Sequence, residues 1–189
     1  MMVINMSNRL TKIVTRGGDK GETSLGDGTR VPKDDARVAL LGDVDELNSW
    51  VGVVQSHLSA GVLPTLFAEI QHDLFDLGGA LCFPGTPLLS ERHVARLDVA
   101  AEELNTNLPP LKEFILPGGA PVLGFCHVAR TTCRRIERSM ATFHRDAPEA
   151  VFALQYLNRL SDVFFIAARV EAQNIGANEI YWRKENSLS

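Results

Sequence analysis

The chain has no cysteine pair at metal or redox spacing, no excess of positive charge and no apolar run near the roughly 20 residues of a membrane span. Its three cysteines, Cys82, Cys126 and Cys133, are odd in number, lack C-x-x-C spacing and sit among apolar neighbours. That excludes a disulfide scaffold and points to reduced, buried thiols in a cytoplasmic protein. A formal net charge of −4 excludes general nucleic-acid binding, which needs a basic field. It leaves room for an anionic ligand, because a few placed arginines bind phosphate within an acidic whole. The five histidines, His57, His72, His93, His127 and His144, include no H-x-x-x-H pair, so no protein-held metal is expected. There is no G-x-x-x-x-G-K-[ST] loop, no G-x-G-x-x-G turn and no recognisable Ser-His-Asp set. The opening MMVINMSNRLTK has neither the long apolar core nor the cleavage site of a secretory signal.

What is present is one domain of 189 residues, 45% hydrophobic and 22% charged, long enough for a sizeable core. Residues 1–36 are polar, glycine-rich and expected to be weakly structured; a helical body spans 37–176, and 177–189 form a tail. Val38, Leu41, Val44, Leu47, Val51, Val54 and Leu58 recur at helical spacing over Ala36–Ser59, and Gly61 stops that run. A second helix starts at Pro64 and continues to about Cys82. Ser90 is a good N-cap for a third, reaching about Asn105. The loop NLPPLKEFILPGGAP, with four prolines and two glycines, precedes a long helix from about Pro121 to His144. The last runs from near Pro148 to near Gly176. With no convincing strand pair, the expected class is all-α, a five-helix bundle. Val122, Cys126, Ala129, Cys133, Ile136 and Met140 form one packing seam, and Leu157, Leu160, Phe164 and Ala167 another.

Two stretches depart from this pattern. TRGGDKGETSLGDG, Thr15–Gly28, holds five glycines in fourteen residues. It reads equally as a backbone cradle for phosphate, with Thr15, Thr23 and Ser24 as hydroxyl donors and Lys20 and Lys33 as charge, or as a surface turn. HVARTTCRRIERSM, residues 127–140, sets His127, Arg130, Arg134 and Arg138 along one side of a helix. Cations three and four apart repel by a few tenths of a kcal/mol per pair unless an anion lies alongside. Every cation here is arginine, the residue suited to bidentate phosphate or carboxylate contacts, although a solvated face has the same spacing. Glu137 lies between the stripe and the seam, and Arg135 faces elsewhere. Asn158, Arg159, Ser161 and Asp162 form a polar cluster on the last helix, and Asp45 in GDVDELN supplies a carboxylate that could neutralise one arginine.

TRGGDKGETSL followed by RVPKDD, then GDVDELN, FILPGG, HVARTTCRRIER and LQYLNRLSD, resembles in residues and order the motifs of the PduO-type ATP:cob(I)alamin adenosyltransferases. The likeness runs from Lys12 to Arg169. Gly17 stands where that family commonly has threonine or asparagine, and Ile136 where it has alanine; neither exchanges a charged group.

The resemblance implies a homotrimer with active sites between subunits, which moves the 5′-deoxyadenosyl group of ATP onto cob(I)alamin and releases triphosphate, with Mg²⁺ as counterion. Thr15, Arg16, Gly17, Gly18, Lys20, Gly21, Thr23, Ser24 and Lys33 would wrap the triphosphate. Arg134, Arg135, Glu137 and Arg138 would bind nucleotide from the long helix, and Asn158 from the last. Arg134 would also serve the reaction itself, together with Arg130 paired to Asp45 across the subunit boundary and Phe114 beneath the corrin ring. Co(I) is itself a strong nucleophile, so no catalytic base is needed, and the cofactor carries the difficult chemistry. The D-x-H-x-x-G pattern with which some B12 enzymes supply a histidine ligand is absent. A reductase and a B12-dependent mutase are the partner classes implied; a carrier of finished cofactor and a silent nucleotide sensor are the competing readings.

Overall fold

The computed structural model describes residues 14–183; residues 1–13 and 184–189, assigned above to the opening segment and the tail, lie outside the described residues. Five helices form the body: α1 Ala36–Gln55, α2 Val62–Leu81, α3 Glu91–Asn105, α4 Pro121–Phe143 and α5 Val151–Asn174. A single 3₁₀ turn, Pro148–Ala150, leads into α5. α4 lies between α1 and α5, with α2 packed on α1 and α3 on α5. No helix of the described residues is long and apolar enough to cross a membrane.

The expectation of no strand pair is corrected by a short antiparallel hairpin, β1 Glu22–Ser24 with β2 Arg30–Pro32, Thr23 facing Val31. Its turn closes through Leu25 N–H to Thr29 O at 2.8 Å. The Thr29 amide also donates to Asp27 Oδ1 at 2.9 Å, and Gly28 takes the positive φ, 90°, that the reversal needs. Residues 22–32 of the opening segment therefore fold as a hairpin around their glycines.

Helix ends follow local chemistry. Asp35 caps α1, its carboxylate accepting from Arg37 N–H at 2.8 Å. Ser90 caps α3 in a capping box closed by His93 rather than glutamate. Pro64 lies within the first turn of α2, where its missing N–H costs nothing, so the helix begins at Val62. α1 ends at Gln55, short of the expected Ser59, because the buried Glu171 of α5 takes both the Ser59 amide, at 2.8 Å, and its hydroxyl, at 3.0 Å. α5 closes on Gly176, φ 65°. Ala177 N–H reaches Ala172 O at 2.8 Å and Gly176 N–H reaches Gln173 O at 3.2 Å, a Schellman ending that sends the tail back along the bundle.

Both seams are core. All six α4 seam residues and all four of α5 are buried. Burial pushes the Cys126 thiol up to about 12 and holds Cys133 well above its usual range. All three cysteines are free. Within this apolar centre stands a polar cluster around Asp73. The buried Asp73 accepts from the Tyr156 hydroxyl at 2.9 Å and from the Arg96 guanidinium, with His93 Nε2 at 3.8 Å. It ties α2, α3 and α5 together.

Candidate active site

The glycine-rich loop is built around two cations. Gly18 has no side chain where the Lys33 ammonium lies: a Cβ there would stand 2.8 Å from Nζ and 2.9 Å from Cε. Arg30, which sequence reasoning passed over although it opens R-V-P, donates to Gly17 O at 3.0 Å and to Ser24 Oγ and Glu22, each at 3.3 Å. It staples the loop to the hairpin. Lys33 N–H closes on Gly21 O at 2.9 Å, while Thr15 Oγ1 accepts from Gly17 N–H at 3.4 Å. Arg16 and Gly21 take positive φ, 58° and 83°. The hairpin docks on the end of α2 through Gly26 N–H to Cys82 O at 2.7 Å, and a Cβ on Gly26 would strike the Phe83 ring. Among the described residues, Arg16, Lys20 and Lys33 have no carboxylate at ion-pair distance. A Gly18→Ala chain is expected to keep its helical content while its Lys33 ammonium is pushed aside. Titration with inorganic triphosphate, read against circular dichroism, should then show anion affinity down roughly 10-fold, one charged hydrogen bond's worth.

The stripe on α4 is graded in burial. His127 is buried, Arg130 half-buried, and Arg134 and Arg138 exposed. Burial, then Arg130, hold the His127 imidazole below its ordinary range; neutral, it accepts from Arg130 Nε at 3.4 Å. Burial, then Arg134, also lower the Arg130 guanidinium. Arg138 Nη1 donates to Arg134 O at 3.0 Å. Among the described residues no carboxylate pairs with Arg130, Arg134 or Arg138, while Arg37, Arg96, Arg135, Arg159 and Arg169 all have one. From Arg130 to Arg138 the unpaired charge extends about 12 Å along the axis.

The neighbours of the stripe are engaged. Glu137, on the same helix, accepts from Asn158 Nδ2 at 2.8 Å; Asn158 Oδ1 accepts from Arg159 at 3.0 Å, and Arg159 reaches Asp98 on α3 at 3.3 Å. The polar cluster of α5 thus holds Glu137 rather than standing free, although Asp162 remains exposed. Arg135 is turned to the opposite neighbour, pairing with Asp43 at 2.6 Å and Glu46 at 2.5 Å on α1. Asp45, between those two acids, is exposed and makes no ion pair among the described residues.

Phe114 stands in the loop before α4 and is 79% exposed. Its backbone is held: Phe114 O accepts from Trp182 N–H at 2.7 Å, Leu116 N–H donates to Ile180 O at 2.8 Å, and Ile115 pairs with Tyr181. Among the described residues, no hydrogen bond or ion pair joins residues 15–24 to Arg130, Arg134 or Arg138. One chain therefore presents a cationic loop, a guanidinium stripe and an exposed aromatic, with loop and stripe unbonded to each other.

Residues 13–171 match the family model described as cobalamin adenosyltransferase. The chain belongs to that family. A cobalamin adenosyltransferase of Cupriavidus metallidurans is 48% identical over 184 residues, 95% of this chain and 98% of its own. A corrinoid adenosyltransferase of Mycobacterium leprae is 40% identical, with 94% and 98% covered. The likeness extends to solved cobalamin adenosyltransferase folds. A phenylalanine-to-alanine variant of the PduO-type ATP:corrinoid adenosyltransferase from Lactobacillus reuteri, complexed with cobalamin and ATP, superposes with a TM-score of 0.85. It is 36% identical, and the match covers 92% of this chain and all of that one. An arginine-to-lysine variant of the same protein, complexed with ATP, gives 0.84 at 38% identity, covering 90% of this chain and 100% of that one.

Proposed function

We propose that the chain transfers the 5′-deoxyadenosyl group of ATP to cob(I)alamin at sites shared between the subunits of a homotrimer, releasing triphosphate. Family membership over most of the chain gives the reaction. The observation that carries the site is the set Arg130, Arg134 and Arg138, three guanidiniums on one helix face with no carboxylate among the described residues. Such a row is stable beside a polyanion and repulsive without one.

In the reaction cobalt attacks the ribose C5′ carbon, two electrons pass from Co(I) into the new Co–C bond, and the C5′–O bond breaks with its electron pair leaving on triphosphate. The protein's task is to hold that departing charge. Arg134 and Arg138 take it from the helix; Thr15, Arg16, Gly17, Gly18, Lys20, Gly21, Thr23, Ser24 and Lys33 wrap it from the loop of another subunit. Glu137, held by Asn158, positions the nucleoside end. Arg135 acts through structure, fastening α1 to α4 so that Asp45 projects to Arg130 of a neighbouring subunit. Among the described residues neither Arg130 nor Asp45 has an ion-pair partner, which supports the pairing. Mg²⁺, for which no group of three His, Cys, Asp or Glu side chains is assembled among the described residues, would come in with the nucleotide and would supply charge neutralisation. A cytoplasmic setting suits three free thiols and a Co(I) substrate. A reductase supplies the electron that makes Co(I), and a B12-dependent mutase takes the product.

Incubation with ATP, Mg²⁺ and chemically reduced cob(I)alamin tests the reading: a photolabile Co–C product and equimolar triphosphate are expected. ATP binding without either product would make the chain a carrier or a sensor.

Phe114 has the exposure of an aromatic waiting for a flat apolar partner. Beneath the corrin it excludes the axial ligand of cob(II)alamin, and four-coordinate cobalt is easier to reduce. Phe114→Ala is therefore expected to slow the reaction that starts from cob(II)alamin more than the one that starts from preformed cob(I)alamin. Parallel assays compare the two, and equal losses would remove ligand displacement from its role.

A further inference from the structure

The described tail, residues 177–183, departs from the Schellman ending of α5 and runs antiparallel to the Phe114 loop. With Ile115 opposite Tyr181, alternation sets Phe114, Leu116, Ile180 and Trp182 on one face of the two-strand ribbon and Ile115 and Tyr181 on the other. Half of the exposed large apolar side chains among the described residues belong to this loop and tail: Leu111, Phe114, Leu116, Ile180, Tyr181 and Trp182. An exposed apolar ledge of this kind marks a binding surface.

The ribbon has a buried fastening. Arg169 of α5, 6% exposed, donates from Nε to Glu179 Oε1 at 2.9 Å and from Nη2 to Pro109 O at 2.8 Å. One guanidinium thus grips both the root of the loop and the root of the tail. Glu179 Oε2 also accepts from the Tyr181 hydroxyl at 2.7 Å, and that hydrogen bond holds the Tyr181 phenol above its usual range. Charge-assisted bonds of this kind are the strong ones, and a planar fork fixes direction as well as distance.

We propose that residues 179–182 are a positioning strap for the corrinoid site: the Arg169–Glu179 fastening and the Trp182–Phe114 backbone bond hold the Phe114 loop in place, and Trp182 and Ile180 extend its apolar wall. The proposal rests on the assignment of Phe114 to the corrin face. It makes the tail, which no motif of the sequence marked, a determinant of corrinoid binding but not of nucleotide binding.

Steady-state kinetics of Glu179→Ala, Trp182→Pro and Trp182→Ala chains test it, with Phe114→Ala alongside. Trp182→Pro deletes the N–H that Phe114 O accepts, whereas Trp182→Ala keeps it and removes only the ring. KM for cob(I)alamin is expected to rise roughly 10-fold in Glu179→Ala and in Trp182→Pro, and less in Trp182→Ala, with KM for ATP and helical circular dichroism unchanged. In the same variants, electron paramagnetic resonance of cob(II)alamin with bound ATP should show less of the four-coordinate species. If Glu179→Ala loses helical content, Trp182→Pro, at an exposed end, carries the test alone. Equal effects of proline and alanine at 182, or KM values for both substrates rising together, would overturn the strap. Loss in Phe114→Ala with native behaviour in the tail variants would overturn the strap and leave the Phe114 assignment standing. Native behaviour in Phe114→Ala as well would remove the assignment beneath it.

Discussion

Replacing Arg134 with alanine is expected to cut turnover roughly 30- to 1,000-fold, the equivalent of about 2–4 kcal/mol of lost transition-state stabilisation. The side chain is exposed and pairs with no carboxylate among the described residues, and the bond from Arg138 Nη1 goes to its backbone carbonyl and survives the change. Removing the guanidinium also relieves repulsion from Arg130, which burial, and then Arg134, hold below its ordinary range. Helical content and assembly should therefore stay native. Arg134→Lys is the sharper control, since it keeps the charge and loses the planar fork. Steady-state rates with saturating cob(I)alamin, read against circular dichroism, check the result. An alanine chain with native turnover would show that the stripe is a solvated face.

The largest effect on stability is expected at Asp73. In Asp73→Ala the Tyr156 hydroxyl, fully buried, loses its acceptor, and the Arg96 and His93 side chains lose the carboxylate they face. A buried pair broken from one side typically costs about 3–5 kcal/mol. Burial, and then Asp73 itself, hold the Tyr156 phenol well above its usual range, so the orphaned hydroxyl stays protonated and unsatisfied. Asp73→Asn should recover part of the loss, because an amide oxygen still accepts from Tyr156, and Tyr156→Phe should cost only about 1 kcal/mol. Denaturant midpoints at fixed protein concentration separate the three. A native midpoint for Asp73→Ala would mean that the cluster is incidental to the bundle.

The helices were legible because each carries apolar residues at helical spacing with caps and glycines at the ends, and the α4 and α5 seams are buried residue for residue. The hairpin was not: its strands are three residues long with only the middle residue of each partly covered, so no alternating run announces them. Contacts between distant positions were equally silent. Ser59 and Glu171, 112 positions apart, set the end of α1. Asp73 with Tyr156, and Arg169 with Glu179 and Pro109, join elements that no local pattern connects. At the site the residue types were readable and their partners were not. Of the acids in GDVDELN, it is Asp43 and Glu46 that engage the stripe's helix, through Arg135, and Asp45 is left exposed. Arg30, in a motif already noted, took on its role only once the chain turned back to place it beside Gly17.

In the proposed site a loop from one subunit and a stripe from another meet on the same triphosphate. Co-expressing a Lys33→Ala chain with an Arg134→Ala chain under two different tags, and purifying the mixed oligomer, tests this directly. Each variant alone is expected to be nearly inactive, whereas in mixed oligomers some interfaces pair an intact loop with an intact stripe, and adenosyl transfer should recover to a sizeable fraction of native. Mixed oligomers no more active than either parent would place loop and stripe in the same subunit, or on different ligands, and contradict the shared site.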